Sequence, residues 1–124
     1  MKVQHYEGKD SIETAKSVKD ADIVIIVTGF THKEEGEYIV YAGGDRSFLT
    51  LPPEDESLIL AISESNPHCI VVMEGGSAII TEKWRNKVPA IVMAWYPGMM
   101  GGKALVNLMF GETNFSAKLP CAFP

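Results

Sequence analysis

The sequence is poor in clustered positive charge. It has 11 Lys and Arg against 16 Asp and Glu, a formal net charge of −5, and no basic run. Proteins that hold a phosphate backbone draw their non-specific affinity from basic patches, so nucleic acid is not expected as a partner. Long apolar runs are also missing. None approaches the roughly 18–20 residues needed to span a bilayer, and the opening Met1-Lys2-Val3-Gln4-His5 lacks the apolar core of a signal peptide. A soluble domain with no membrane partner is the expectation. The compartment stays open between cytoplasmic and secreted, because a targeting segment could precede Met1. Cysteine is scarce: Cys69 and Cys121 are widely spaced, which suits two reduced thiols better than a disulfide scaffold or a metal site. The three histidines are scattered. His5 and His68 fall at strand ends with no role assigned, and His32 beside Glu34 and Glu35 is too little to hold a metal. No metal and no cofactor are expected.

What is present is a chain of 124 residues, enough for one domain with a real core. The expectation is a single domain over residues 1–124. Asp10 with Glu13 resembles a helix start, and the segment after it is amphipathic as far as Asp20. Residues 22–28 contain Ile23-Val24-Ile25-Ile26-Val27, a run that predicts a strand covered on both faces. Leu51-Pro52-Pro53-Glu54-Asp55-Glu56 predicts a helix start, since proline fits the first turn and acidic groups favour the positive end of the dipole. That helix should end near Asn66, before Pro67. Strands follow at Cys69–Met73 and Pro89–Ala94, with Trp84 in an irregular segment between them. A last helix, Gly101–Phe110, should stop at Gly111. Strands alternating with helices predict an α/β fold with a mainly parallel sheet and right-handed crossovers.

Between the first strand and the proline-led helix lies an unusual connection. Glu34-Glu35-Gly36-Glu37-Tyr38 through Gly43-Gly44-Asp45-Arg46 holds four acidic groups, three glycines and one arginine. In open α/β sheets ligands sit beyond the carboxyl ends of the strands, where this connection begins. A merely solvated acidic loop is the plainer reading, but position and composition both mark a site. Asp45 and Arg46 either pair to fix the loop or present Arg46 to a ligand oxygen. Gly75-Gly76-Ser77 lacks the dinucleotide and P-loop patterns and reads as a tight turn. Trp95 and Tyr96 end the third strand on the same edge, where an aromatic ring stacks on a ligand or packs the sheet edge. No serine, histidine and acid stand in a nucleophile-elbow setting.

Three blocks then carry a resemblance to the α/β sandwich, the second domain, of glycoside hydrolase family 3 enzymes such as β-glucosidases. The first is Glu35-Gly36-Glu37-Tyr38 with Gly44-Asp45-Arg46, Leu49, Leu51 and Pro52. The second is Val88-Pro89-Ala90-Ile91 to Ala94-Trp95-Tyr96-Pro97-Gly98, with Gly101-Gly102-Lys103-Ala104-Leu105. The third is Leu108 to Gly111, Asn114, Ser116, Lys118-Leu119-Pro120 and Phe123-Pro124. The resemblance implies a three-layer α/β/α sandwich, here without its usual first strands. It also implies a sugar site shared with a (β/α)₈ barrel that carries an aspartate nucleophile. The general acid/base is implied to be a glutamate of the acidic connection: Glu37 by register, with Glu35 as rival. Asp45, Arg46 and Trp95 are the implied substrate contacts. A retaining enzyme needs two carboxyl groups about 5–5.5 Å apart, so a chain holding only one should be inactive alone. Crowding by Glu34 and Glu35 would raise the pKa of the donor. The implied substrate is a β-glucoside or oligosaccharide, and the implied partner is the barrel, on the same or another chain. A fragment would leave a sheet edge exposed and invite homo-oligomers. The alternative is a non-catalytic carbohydrate-binding or protein-interaction module. Departures such as Met99-Met100, where polar residues are common, bear on that second reading.

Overall fold

The computed structural model describes residues 2–36 and 44–124. In chain order the elements are α1 (Ser11–Ser17), β1 (Val24–Gly29), α2 (His32–Glu35), α3 (Pro53–Ser65), β2 (Cys69–Glu74), β3 (Ala90–Met93) and α4 (Gly101–Met109). A 3₁₀ turn, Arg85–Lys87, precedes β3.

Local chemistry accounts for most of the boundaries. The Asp10 carboxylate accepts the Glu13 amide at 2.9 Å and so starts α1. Pro53 sits at the first position of α3, followed by Glu54, Asp55 and Glu56 in its first turn. Gly111, at φ 77°, ends the region of α4 in the left-handed conformation that glycine adopts freely. Asn66 closes α3 and does more besides. Its buried amide donates to the carbonyls of Val18, Lys19 and Ala21, while its oxygen accepts the His68 amide. One side chain thereby ties the end of α1 to the start of β2.

The three strands lie side by side in the order β1–β2–β3, all parallel. Val24 pairs with Cys69, and Ile70 with Ala90. All three carboxyl ends therefore meet on one edge. One face of the sheet carries Val24, Ile26, Cys69, Val71 and Met73, which join Ala15 of α1, Val18 just after it, and Ile59 and Ile62 of α3 in the core. Trp84 and Leu51 complete it, both almost fully buried.

The opposite face differs from the expectation. Ile23, Ile25 and Val27 remain 54%, 40% and 59% exposed, so β1 is covered on one face only. An apolar run cannot distinguish a strand buried on both sides from an edge strand whose second layer is missing. The fold is nonetheless the expected α/β arrangement with a small, open parallel sheet. No helix among the described residues is long and apolar enough to cross a membrane.

Candidate functional site

The site begins where β1 ends. Gly29 has φ 151°, and a Cβ there would lie 1.9 Å from the Glu74 carbonyl oxygen. Only glycine permits this approach, which lets the Phe30 amide bond Glu74 at 2.9 Å and fixes the Phe30 ring at the carboxyl edge. Thr31 then caps α2: its hydroxyl accepts the Lys33 amide at 3.2 Å, and the Glu34 carboxylate accepts the Thr31 amide at 2.8 Å. The pattern Thr31-x-x-Glu34 is a capping box, a signal that would have revealed this short helix from sequence.

One turn later, Glu35 becomes the hub. One carboxylate oxygen, Oε1, accepts the Gly76 amide at 2.9 Å and the Tyr96 hydroxyl at 2.5 Å. The other, Oε2, lies 3.3 Å from Nε of Arg46. The Arg46 guanidinium stands over the Phe30 ring, 4.4 Å from its centroid. It also donates to the Ser77 hydroxyl and, at 3.3 Å, to the Ala78 carbonyl. Four separate segments thus converge on one carboxylate and one guanidinium: the end of α2, residues 44–46, the turn after β2, and the turn after β3.

Electrostatics follow the contacts. Burial pushes the Glu35 carboxyl up, but the donors Tyr96 and Gly76 and the charge of Arg46 outweigh it, and the net shift is downward. Glu34 is lowered as well, chiefly by its bonds from Thr31. Burial and the adjoining Glu35 carboxylate push the Tyr96 hydroxyl up to about 12, so it stays a donor at any ordinary pH. For Glu35 the direction is the reverse of that required of a proton donor.

The expected residues fall as follows. Glu37 lies outside the described residues. Glu35 and Arg46 come together; of the two readings given for Arg46, a pair with Asp45 gives way to the Arg46–Glu35 pair, and Asp45 is exposed. Trp95 is half-buried, meets Phe123 edge-on with centroids 6.3 Å apart, and lines a cavity of about 520 Å³ between β3, α4 and the tail. In the Gly75-Gly76-Ser77 turn the Gly76 amide donates to Glu35 and the Ser77 hydroxyl accepts from Arg46. Sequence reasoning passed over Phe30 and Tyr96 as partners of this centre. Cys69 is buried and Cys121 exposed, both as free thiols. Among the described residues no group of three or more His, Cys, Asp or Glu is placed to hold a metal ion.

A parallel α/β domain with a polar centre at its carboxyl edge is the class this defines. The chain matches the glycosyl hydrolase family 3 C-terminal domain over residues 4–124 and belongs to that family. It is 36% identical to a beta-glucosidase of Rhizobium radiobacter over 115 residues, which are 93% of this chain and 13% of that protein. It is 34% identical to the probable beta-glucosidase J of Emericella nidulans over 85% of this chain and 12% of that one. Among solved structures, the GH3 beta-glucosidase of Bifidobacterium adolescentis superposes with a TM-score of 0.74 at 27% identity, over 90% of this chain and 16% of that one. The chain therefore spans about an eighth of the length of these curated relatives, which hold much further chain outside the matched part.

Proposed function

We propose that this domain forms one wall of the sugar site of a retaining β-glucosidase and supplies its general acid/base from the acidic connection after β1. A (β/α)₈ barrel, on the same or another chain, provides the opposite wall and the aspartate nucleophile. The observation that carries the reading is the position of that connection. It leaves and rejoins the carboxyl edge of a parallel sheet, in a chain aligned over 93% of its length with a beta-glucosidase.

Glu37 is the proton donor in this proposal. Its rival Glu35 is already bonded at both oxygens and held ionised, which supports the assignment to Glu37. Asp45, exposed at the same edge, is a candidate sugar contact. Arg46 and Trp95 are engaged by Glu35 and Phe123, which favours supporting roles for them beside the sugar. Two carboxyl groups on opposite sides of the glycosidic bond are required for double displacement, so the 124-residue chain by itself is expected to be inert. The second reading, an interaction module without catalysis, draws on Met99, which is 98% exposed, and on Met100 beside it.

Hydrolysis of aryl β-glucosides by the barrel-containing protein tests the proposal. Glu37→Gln should slow poor leaving groups by about 10²–10⁴-fold, the usual worth of a positioned proton donor. Unchanged turnover in both Glu37→Gln and Glu35→Gln would remove the acid/base from this connection. Calorimetric binding of glucose or cellobiose to a protein with no turnover would favour the second reading.

A further inference from the structure

We propose that Glu35 is a positioning residue whose ionised carboxylate, with Arg46, Tyr96 and the Gly76 amide, clamps together the two ends of the acidic connection at the sheet edge. This deepens the glycosidase reading and rests on it for its catalytic consequence. The geometry of the clamp stands on the described residues alone.

The two ends of the connection touch. Gly36 has φ 69°, and a Cβ on it would come within 2.9 Å of the Asp45 carbonyl oxygen, so residues of either side of the connection meet backbone to backbone. One residue outward on each side, Glu35 and Arg46 make the ion pair, with 20% and 7% of their side chains exposed. The chain thus closes a neck with a glycine contact and an ion pair stacked on one another.

That neck is anchored at three further points. Phe30 supports the guanidinium from below, and Ser77 and Ala78 hold its Nη2. Gly76 and Tyr96 hold the carboxylate. Tyr96 reaches it through an unusual turn: the preceding Trp95 has φ 56°, the single non-glycine residue with positive φ among the described residues. Left-handed backbone at a bulky residue persists only where surrounding contacts over-determine it, and such residues cluster at functional sites. The Trp95–Phe123 contact and the Tyr96–Glu35 bond supply that determination.

A clamp of this kind is suited to orientation. A carboxylate is an acceptor only, and both oxygens of Glu35 already have donors, so no proton is held there for a leaving group. What the group does is set where the chain departs from and returns to the edge. Misplacing a catalytic group by an ångström can cost on the order of 10²-fold in rate, so a fixed departure point is worth as much as many direct contacts.

Two measurements decide the proposal. In the 124-residue chain, carboxyl carbon NMR should show Glu35 titrating below an ordinary exposed glutamate, with Tyr96→Phe and Arg46→Met each moving it upward. A midpoint in the wild type at or above that of an ordinary exposed glutamate, or one indifferent to both changes, would overturn the clamp. In the barrel-containing protein, Glu35→Gln should lower kcat/KM about 10–100-fold for dinitrophenyl and alkyl glucosides alike, without rescue by azide. Glu37→Gln, in contrast, should spare the dinitrophenyl substrate and be rescued. If Glu35→Gln instead spares the good leaving group and yields a glycosyl azide, Glu35 is the acid/base and the positioning role is wrong. A wild type with no glycosidase turnover would refute the enzymatic reading, while the carboxyl titration would still judge the clamp.

Discussion

The two faces of β1 are made of the same residue types and meet different surroundings. Under α1 and α3, Val24 and Ile26 are buried. On the other side of the same strand, Ile25 and Val27 face solvent over roughly half their surface. Burial is thus a property of what lies opposite, and an alternation invisible in the run Ile23–Val27 appears only once the neighbours are placed. A similar contrast separates the core from the carboxyl edge. The core is held by apolar packing around Trp84 and Ile59, and the edge by one carboxylate, one guanidinium and their donors.

Substitutions should reproduce these contrasts. Trp84→Ala removes a fully buried ring from the core and should cost about 3–5 kcal/mol in denaturant unfolding. A loss below about 1 kcal/mol would mean that the core is not where the packing places it. Asn66→Ala strands three backbone carbonyls and an amide where α1 and β2 are joined; a cost of about 1–3 kcal/mol is expected.

At the edge, Glu35→Gln should cost about 1 kcal/mol at neutral pH, since the amide keeps acceptor capacity and loses the charge. The sign of its pH dependence is set by the lowered folded pKa. The contribution of the ionised group is complete above the unfolded value of about 4.3 and fades as pH falls through the lower folded value. Unfolding curves of wild type and variant should therefore converge in acid, and curves that diverge there would contradict the assignment. Smallest of all, Val27→Thr on the open face should change stability by no more than about 0.5 kcal/mol. Ile25→Lys on that face should reduce any self-association seen by sedimentation. If the apolar strip is instead covered by a neighbour in solution, both changes will be costly.

Much of this architecture could be read from the chain before any coordinates. The proline-led start of α3, the strands at Cys69 and Ala90, and the helix from Gly101 each follow from local signals: proline at a first turn, short β-branched runs, apolar spacing of 3.6. The acidic connection stands out in the sequence because charge and glycine are concentrated after a strand, and its role as a site is what is proposed above. The clamp was not. Glu35 and Tyr96 are 61 residues apart, and no local pattern encodes a bond between them. Of the two readings open for Arg46 in the sequence, a pair with Asp45 or a hold on a ligand oxygen, the first is replaced by a pair with Glu35, because adjacency in sequence says little about which side chain turns inward. Helix α2 was overlooked although its capping box, Thr31 with Glu34, stands in the sequence; four residues leave no periodicity to notice.

The proposal that this domain holds one half of a two-carboxylate site is tested most directly by turnover of 4-nitrophenyl β-D-glucoside. The rate would be measured for the 124-residue chain alone and for the same residues joined to a barrel carrying the aspartate nucleophile. Hydrolysis by the joined protein and none by the chain alone is the expected result. Hydrolysis by the chain alone, at a rate matching the joined protein, would contradict it.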